Sequence, residues 1–583
     1  MSQDQRSIAY FSMEIGLRSS IPTYSGGLGV LAGDTLKSMA DLGQPVVAVS
    51  LMYHKGYFRQ KLDKEGKQQE ENVSWNPAAT LKKLPVRVAV ELEGKTVHVG
   101  AWEYSLDGVT GHTLPVLFLD TTDASNDPYH RTLTDSLYGG DERYRLCQEV
   151  VLGMGGIAVL NALGYRPAAD TKSGSGIRSY HMNEGHAALL TMGLLNYRLV
   201  EDGARPLASA TDADRRWVAD RCVFTTHTPV PAGHDNFSEE LTVSGLGREL
   251  TAVMKGFEAF HEGRLNMSHL ALRFSRYTNG VAKRHGEVSR AMFPGENIRA
   301  ITNGIHAVTW TADSMRKLFD QYVPEWRRDN FYLRYCCELP LKDLVTARQE
   351  AKIALAEAVR ERTGSVLDPK IFTMGFARRA AEYKRGDMMF HDLDRLKDMA
   401  RRHGGLQIIF AGKAHPRDFG GKAIIERVVK GAQALESSAV KVVVLENYDM
   451  DLGRLITTGV DIWLNNPLKP LEASGTSGMK AALNGVPNLS TLDGWWVEGH
   501  VEGVTGWEIE DPADAYAKGA GSTAAMLSEA VGNMYRKLDQ VIMPMYYKRP
   551  DEWAVVMRHS IALNGAHFNT HRMVMEYMGQ AYQ

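Results

Sequence analysis

Two hydrophobic patterns follow one another along the chain. Short apolar runs of strand length are separated by segments in which apolar residues recur every three or four positions, as they do in amphipathic helices. In the first half, the predicted strands lie at 46–52, 116–119 and 222–226, and the predicted helices lie at 31–42, 144–163 and 185–199. This half is therefore expected to form an α/β unit.

The alternation is more regular in the second half. Here the predicted strands lie at 371–376, 407–411, 440–445 and 461–464, and the predicted helices lie at 385–402, 422–435 and 452–458. β-rich runs that alternate with helices are typical of βαβ units with parallel strands. We therefore predict an α/β fold with two Rossmann-like lobes that face each other across a cleft, the place where open α/β sheets keep their ligands.

The length also favours more than one domain, because 583 residues exceed the size at which a single core stops growing. We place a boundary near 305–313, after the sequence TNGI and before a charge-rich helical region. The predicted parts are an N-terminal lobe at 1–308, a C-terminal lobe at 309–555 and a helical tail at 556–583. The pattern alone leaves open whether the tail packs back on the first lobe.

The composition excludes several classes of protein. A hydrophobic content of 44% and a charged content of 23% are ordinary for a soluble enzyme, and a net charge of −2 gives no reason to expect nucleic acid as a partner. We find no signal peptide and no stretch long enough to span a membrane, so a cytoplasmic protein without a membrane partner is expected. Four cysteines without a CxxC pair agree with a reducing compartment, and we predict no metal site.

One segment combines a strand end, a glycine-rich turn and a lysine. Residues 472–480, with the sequence EASGTSGMK, follow a short apolar strand and two prolines, and they open a helix. Free amides at a helix start, with glycines that allow close approach, favour an anion. The nucleotide P-loop is excluded, because Gly475 and Gly478 are too close and Met479 stands where that motif has its second glycine. The segment is either another kind of phosphate loop or a glycine-rich turn with a solvated Lys480.

A second segment places cations directly after a predicted strand. Residues 375–387, with the sequence GFARRAAEYKRGD, contain Arg378, Arg379, Lys384 and Arg385. Four cations at a strand end are typical of an anion site. The alternative is a basic, solvated face.

The lysine segment as a whole, EASGTSGMKAALNG followed by LSTLDG, resembles the cofactor loop of the α-glucan phosphorylases, the family of the glycogen, starch and maltodextrin enzymes. The resemblance recurs in order along most of the chain. It is carried by YSGGLGVLAGDTLKSMADLG, FTTHTPVPAGHD, ITNGIHAVTW, GFARRAAEYKRGD and VLENYDM. The chain looks like the compact type found in bacteria and archaea. The resemblance implies a GT-B type glycosyltransferase fold with the active site between the lobes.

The resemblance implies pyridoxal 5′-phosphate (PLP) as the cofactor. In that family the lysine that matches Lys480 forms a Schiff base with PLP, and the cofactor works through its phosphate group. The other implied cofactor-binding residues are Gly27, Trp310, Arg378, Tyr448, Thr476 and Ser477. The implied place of PLP is the second lobe.

The same resemblance assigns the substrate residues. Arg379 and Lys384 would grip the reactant phosphate, and His227 would contact the glucose and support catalysis. For a lone histidine after a strand, the alternative is a satisfied core side chain. The implied sugar-binding residues are Asn303, Tyr383, Glu472, Ser474 and Gly475.

The implied reaction is the reversible, retaining phosphorolysis of an α-1,4-glucan to α-D-glucose 1-phosphate. The implied partners are a glucan or maltooligosaccharide, inorganic phosphate and glucose 1-phosphate. The sequence leaves the oligomeric state open, a homo-oligomer included. The first lobe would bind the glucan and its glucose.

Two other hypotheses fit part of the pattern. A sugar-nucleotide glucosyltransferase with the same two-lobe fold would explain the GGLG loop and the basic segment, but it gives no reason for EASGTSGMK. A non-catalytic glucan-binding protein would tolerate the loss of Lys480, Lys384 or Arg379, and all three are present. Two positions depart from the long phosphorylases, because Asp449 replaces an arginine near the cofactor and Ala381 replaces a histidine.

Overall fold

The computed structural model describes residues 6–172, 175–514 and 523–583, so the first five residues of the predicted N-terminal lobe lie outside the described part. The strands are β1 (Ile8–Ser12), β2 (Val46–Leu51), β3 (Arg59–Leu62), β4 (Gln68–Glu71), β5 (Lys82–Leu92), β6 (Lys95–Asp107), β7 (Thr113–Asp120), β8 (Ser179–Asn183), β9 (Cys222–Thr225), β10 (Asn236–Ser238), β11 (Phe260–His261), β12 (Arg264–Asn266), β13 (Tyr277–Gly280), β14 (Ile298–Ala300), β15 (Thr373–Ala377), β16 (Leu406–Ala411), β17 (Val440–Leu445), β18 (Ile462–Asn465), β19 (Asn488–Ser490) and β20 (Gly506–Glu508).

Helices separate most of these strands. They are α1 (Gly27–Asp41), α2 (Glu142–Val150), α3 (Gly156–Ala162), α4 (Leu190–Asn196), α5 (Asp212–Ala219), α6 (Glu239–Leu246), α7 (Arg248–Gly256), α8 (Met267–Arg273), α9 (Lys283–Met292), α10 (Ala307–Trp310), α11 (Asp313–Tyr322), α12 (Leu341–Thr363), α13 (Leu393–His403), α14 (Phe419–Ala434), α15 (Met450–Gly459), α16 (Ser477–Leu483), α17 (Trp496–Gly499), α18 (Ala524–Lys537), α19 (Met543–Lys548), α20 (Pro550–His559) and α21 (Thr570–Gln580).

The first sheet contains nine of the described strands, in the order β14-β13-β9-β8-β1-β2-β7-β6-β5. The strands from β14 to β7 are parallel, and β6 pairs antiparallel with both β7 and β5. All residues of the central strands β1 and β2 are buried. Both faces of this sheet are therefore covered at its centre, as expected for parallel strands that consist of continuous apolar runs.

The second sheet contains six described strands, in the order β17-β16-β15-β18-β19-β20, and every neighbouring pair is parallel. β15 and β18 are adjacent, so the loops that follow them leave the same edge of the sheet. These loops contain the two motifs GFARRAAEYKRGD and EASGTSGMK. The fold is thus a mixed α/β structure with two largely parallel sheets, and this part of the prediction is confirmed.

Most predicted strands are confirmed within two residues, and the predicted helix at 385–402 is wrong in its first half. The α-helix begins at Leu393, where the side chain of Asp392 accepts a hydrogen bond from the amide of Arg395. Before it, Arg385 has a φ of 49° in the left-handed region. A helix cannot pass through that conformation, so one short 3₁₀ turn precedes Arg385 and a second, Met388–Phe390, occupies the start of the predicted helix.

The last helix, α21, lies against α1 and the first sheet. Val574 belongs to the apolar cluster around β1 and β2, and Tyr577 packs with Leu31 of α1. The hydroxyl groups of Tyr577 and Thr225 of β9 are 3.0 Å apart. Residues from the end of the chain therefore help to build the core of the first sheet.

No described helix is long and apolar enough to cross a membrane.

Helix α1 packs against the segment after β1 without any side chain between the two backbones. A Cβ atom added to Gly33 would lie 1.9 Å from the carbonyl oxygen of Gly16. We expect Gly33→Ala to lower the free energy of unfolding by about 3 kcal/mol, because backbone atoms must move. Gly256→Ala is the matched control, since an added Cβ there meets nothing within 4 Å. Chemical denaturation would refute this packing if both variants had the stability of the parent.

Candidate active site

The lysine motif forms the loop and helix that follow β18. Helix α16 begins at Ser477, and Lys480 is buried within it. Gly478 allows this position of the helix, because an added Cβ would lie 2.4 Å from Oδ1 of Asn488. At the other end, the side chain of Asn484 donates to the carbonyl of Trp310 at 2.9 Å and accepts from the amide of Ala312 at 2.8 Å. The helix is thus attached to the segment of the ITNGIHAVTW motif.

The amine of Lys480 lies in an apolar environment. Its Nζ is 3.8 Å from the ring centre of Trp310. Among the described residues it has neither a hydrogen-bond partner nor a carboxylate partner. Burial lowers the pKa of Lys480 to about 8, although the nearby carboxylate of Asp34 opposes the effect. A lysine with such a pKa is neutral in about a tenth of the molecules at pH 7, far more often than an ordinary lysine, and a neutral amine is a nucleophile.

Trp310 links this lysine to α1. Its Nε1 donates to Oδ2 of Asp34 at 2.7 Å. The second carboxylate oxygen, Oδ1, is buried and has no partner in the described part of the chain. An unpaired buried carboxylate oxygen is costly, so Oδ1 of Asp34 is suited to accept a hydrogen bond from a bound polar group.

Glu14, which sequence analysis missed, binds the backbone amides of the glycine-rich loop before α1. Glu14 accepts hydrogen bonds from the amides of Ser25 at 2.5 Å and Gly26 at 3.2 Å, and from the hydroxyl of Tyr138 at 2.9 Å. An added Cβ at Gly26 or Gly27 would meet nothing within 4 Å. The space beside these two glycines is therefore open at the start of this fifteen-residue helix, where free amides favour an anion.

The basic segment after β15 is joined to the lysine loop by one carboxylate. Glu472 accepts from Arg378 and from Lys384, whose Nζ is 3.0 Å from Oε2. All three side chains are about nine-tenths buried. Burial alone would raise the pKa of Glu472, but Arg378 and Lys384 outweigh it and lower the pKa to about 2. A second nitrogen of Arg378, Nη1, is buried without a partner among the described residues.

The other two cations of this segment have different surroundings. Arg379 is exposed, and its charge interacts with the hydroxyl groups of Tyr383 and of Tyr57, which belongs to the first half of the chain. Lys384 lies over the ring of Tyr383, 4.8 Å from its centre. Arg385 instead donates to the carbonyls of Asn466 and Pro467 and pairs with Asp511. Arg378 and Lys384 thus pair with Glu472 of the loop after β18, Arg385 stabilises the backbone of that loop, and Arg379 interacts with the two tyrosines.

The departure at Asp449 has a local explanation, and the matching residue Tyr448 lies directly before it. The side chain of Asp449 accepts from the amide of Leu452 at 2.8 Å and caps helix α15. Burial raises the pKa of Tyr448 to about 12, and the charge of Arg378 lies close enough to oppose this shift. The carboxylate is therefore used by the helix, while the tyrosine stays near the buried arginine.

His227 follows β9 and is held by two residues that sequence analysis missed. Its Nε2 lies 2.7 Å from Oδ1 of Asn183, and its amide donates to Glu184 at 2.8 Å. Burial lowers the pKa of His227 to about 4, so the ring is neutral at pH 7. Glu184 has a φ of 79° just after β8, a strained conformation of the kind that clusters at functional sites.

The remaining predicted sugar-binding residues lie after β14 and in the lysine loop. Asn303 is buried, and its Oδ1 has no partner among the residues that the structure describes. Gly475 has a φ of 73°, and the carbonyl of the buried Ser474 accepts from the amide of Trp495 at 2.9 Å. Asp493 accepts from the amide of Glu472 at 2.9 Å, and burial raises its pKa to about 7. These contacts position the loop from Glu472 to Thr476, the residue at the N-cap of α16.

The structure brings together Lys480 with Trp310, and Glu472 with Arg378 and Lys384. It gives no direct contact between His227 and either group. The residues that sequence analysis missed are Glu14, Asp34, Asn183, Glu184 and Asp493. Their signal was weak, since each is an isolated acid or amide near a strand or loop.

The pairing of Glu472 makes a prediction about stability. Glu472→Gln leaves Arg378 and Lys384 buried without a counter-charge, so we expect the free energy of unfolding to fall by about 3–5 kcal/mol in phosphate-free buffer. Inorganic phosphate should restore part of it, because an anion that binds only the folded state stabilises that state. Glu382→Gln, an exposed change in the same segment, is the control.

The same pair predicts a pH dependence. The ordinary pKa of a glutamate is 4.5 and that of Glu472 is about 2, so its stabilising effect is complete above pH 4.5 and is lost as the pH falls towards 2. Denaturant titrations should show that, as the pH falls over this interval, the free energy of unfolding decreases more steeply in the parent than in Glu472→Gln. Equal slopes, or an unchanged stability of the variant without phosphate, would contradict the pairing.

Comparison with known proteins finds one matching family and several named relatives. The family model of the carbohydrate phosphorylases matches residues 23–109 and 178–505. The chain is 38% identical to maltodextrin phosphorylase of Thermococcus litoralis and 36% identical to glycogen phosphorylase of Mycobacterium tuberculosis, each over 99% of this chain and 70% of the relative. It is 33% identical to glycogen phosphorylase of Aquifex aeolicus, over 99% of this chain and 86% of the relative.

The chain belongs to the carbohydrate phosphorylase family. It is therefore an enzyme, a glycosyltransferase of the phosphorylase type. The resemblance predicted from the motifs is confirmed.

Proposed function

We propose that this enzyme is an α-1,4-glucan phosphorylase that depends on PLP. It transfers the terminal glucose of a glycogen or maltodextrin chain to inorganic phosphate, with retention of configuration, and forms α-D-glucose 1-phosphate reversibly. The observation that carries the proposal is the joint placement of a buried, partly neutral lysine and a buried cation pair on neighbouring loops. A phosphorylase needs both, one to hold a cofactor and one to hold a dianionic reactant.

The residues present fit PLP. Lys480 offers an amine with a lowered pKa beside the flat ring of Trp310. Two buried polar atoms without partners among the described residues, Oδ1 of Asp34 and Nη1 of Arg378, are suited to a polar ring substituent and to a phosphate. Cofactor contacts are also proposed for Gly27, Tyr448, Thr476 and Ser477. When bound, PLP supplies a phosphate group that can exchange a proton with the reactant phosphate.

The protein's own residues supply the binding of the reactants. Arg379 is exposed and can meet an incoming phosphate first, while Lys384 and Arg378 hold positive charge in a drier place behind it. Positive groups that are already in position stabilise the charge that builds up when the glycosidic bond breaks. Glu472 has a pKa of about 2, so it remains an acceptor and is suited to orienting glucose hydroxyls rather than donating a proton.

His227 acts as a binding residue in this proposal. With a pKa of about 4 its ring is neutral, and Asn183 orients it. It can therefore hydrogen-bond a sugar hydroxyl, but it cannot serve as a cation at neutral pH. Asn303 has an unpaired amide oxygen that suits the same role, and Tyr383, Ser474 and Gly475 complete the proposed sugar contacts. Fixed hydrogen bonds of this kind orient the glucose relative to the phosphate.

We further propose the GT-B architecture, with two lobes and the active site between them. The N-terminal lobe would be 1–308, the C-terminal lobe 309–555 and the helical tail 556–583. The separate sheets and the interaction of Arg379 with Tyr57 support this division. The packing of α21 on α1 supports the return of the tail to the first lobe.

The proposed location is the cytoplasm, which the four free cysteines support. The proposed partners are small molecules and glucan chains, and a homo-oligomer is compatible with them.

The experiment that tests the function uses glucose 1-phosphate and maltooligosaccharides of graded length. We expect phosphate release that depends on the acceptor and that reveals the shortest acceptor used. A parallel assay offers UDP-glucose as the donor. Transfer from UDP-glucose without any phosphate release from glucose 1-phosphate would instead support a sugar-nucleotide glucosyltransferase.

A further inference from the structure

A cavity of about 450 Å³ lies beside Trp310, and none of the residues proposed to bind the reactant phosphate lines it. Its lining includes four cations, Arg18, Lys37, Arg316 and Arg454, but only one carboxylate, Asp451. Arg18 follows β1 and Lys37 lies on α1, whereas Arg316 belongs to α11 and Arg454 to α15. Arg18 and Lys37 therefore reach the cavity from the side of the first sheet. Arg316 and Arg454 reach it from the side of the second sheet.

Two of these cations share one weak counter-charge. Nη1 of Arg316 lies 3.0 Å and Nη1 of Arg454 lies 3.4 Å from the same oxygen, Oδ1 of Asp313. The side chain of Asp313 is 73% exposed, so water screens this carboxylate. Burial lowers the pKa of Arg316, and the charge of Arg454 adds to the lowering. The carboxylate in contact with both arginines is thus an exposed one, and Asp320 adds a further negative charge near Arg316.

The other two cations have no counter-charge in contact. Among the described residues, neither Lys37 nor Arg18 forms an ion pair or a side-chain hydrogen bond. Arg18 is exposed and lies 5.5 Å from the ring centre of Tyr104. Burial lowers the pKa of Lys37, the neighbouring Arg18 lowers it further, and the acids Asp34, Asp41 and Asp451 oppose the shift. The cavity therefore combines four positive groups with an incomplete set of acceptors.

The shape and the charge together indicate a ligand class. We propose that this cavity binds a small organic phosphate, a ligand with a phosphate monoester and preferably a second anionic group. A phosphate accepts charge-assisted hydrogen bonds from several cations at once, and a second anion matches the second pair of cations. The volume of about 450 Å³ exceeds what one phosphate ion fills.

The cavity adjoins the proposed cofactor site and is distinct from the proposed phosphate-binding residues. None of Arg378, Arg379 and Lys384 lines this cavity. Trp310 belongs to both the cavity and the proposed cofactor site. Its ring forms part of the cavity wall, and the ring centre lies 3.8 Å from Nζ of Lys480. A ligand here would thus join α1 to α11 and α15, next to the residue that supports the lysine.

The test measures binding by isothermal titration calorimetry with the full chain loaded with PLP. The probes form a charge series, 3-phosphoglycerate, glycerol 3-phosphate and glycerate. We expect affinity to fall in that order, with glycerate the weakest. Lys37→Gln and Arg454→Gln should each weaken 3-phosphoglycerate binding by about tenfold, the loss expected for one charge-assisted contact. Arg18→Gln, at an exposed side chain, is a third variant that should fold in any case.

The control distinguishes this site from the reaction site. Lys384→Ala should lower phosphate use in the reaction and leave 3-phosphoglycerate binding unchanged. The proposal is overturned if the parent does not bind 3-phosphoglycerate, if the affinity is the same in the Arg18, Lys37 and Arg454 variants, or if Lys384→Ala abolishes binding. In the last case the probe occupies the reaction site. Each outcome is independent of whether glucan phosphorolysis is found.

Discussion

Lys480→Ala is expected to give a folded protein that does not retain PLP and shows no measurable phosphorolysis. Alanine has no amine, so the covalent attachment and the nucleophile are both lost. Lys480 is buried against Trp310, and its pKa of about 8 leaves part of the population neutral at neutral pH. The measurements are near-ultraviolet absorbance after gel filtration and turnover with inorganic phosphate.

Lys413→Ala is the matched control for this change. Burial also lowers the pKa of Lys413 to about 8, but its Nζ donates to the carbonyl of Phe58 at 2.9 Å. Borohydride treatment of the parent followed by peptide mass spectrometry should therefore place the cofactor on Lys480 alone. Labelling of Lys413, or retention of the absorbance in Lys480→Ala, would contradict the assigned role.

The second large effect is expected at Lys384 and Arg379, the residues proposed to bind the reactant phosphate. Lys384→Ala and Arg379→Gln should each leave a folded protein with bound PLP, and each should lower turnover with phosphate by about 10²–10³-fold. Both residues would stabilise negative charge at the reacting phosphate. Lys384 lies 3.0 Å from Glu472, so Lys384→Ala should also cost some stability, while the exposed Arg379 should not.

The comparison between the two variants separates catalysis from folding. Lys397→Ala, a surface change in a pair with Asp394, controls for the loss of a lysine as such. Initial rates at varied phosphate concentration would show the loss of turnover in both Lys384→Ala and Arg379→Gln. Full turnover of Arg379→Gln at low phosphate would show that Arg379 does not bind the reactant phosphate. The same result for Lys384→Ala would exclude Lys384 from that role.

Much of the second sheet could be predicted from the sequence. β15 to β18 consist of apolar runs between clear helical segments, so the local pattern alone located them. The helix predicted at 385–402 failed because Arg385 donates to the backbone of the β18 loop and pairs with Asp511. That tertiary contact favours a left-handed residue and is invisible to a periodicity argument.

The candidate site was predictable only where its chemistry lies within one motif. The lysine segment and the basic segment each signal an anion through local spacing. The contacts of Lys480 with Trp310, of Trp310 with Asp34, and of Glu14 with the glycine-rich loop join distant parts of the chain. Likewise, the sequence suggested that Glu472 meets glucose, but it could not show that this carboxylate also balances two buried cations.

The most direct test follows the phosphate itself. Purified enzyme loaded with PLP is incubated with maltoheptaose and orthophosphate, and ³¹P NMR spectra are recorded over time. We expect the orthophosphate signal to decline while the signal of α-D-glucose 1-phosphate appears. Lys480→Ala should produce neither change. Release of free glucose without a phosphate ester, or an unchanged spectrum from enzyme whose cofactor content has been verified, would contradict it.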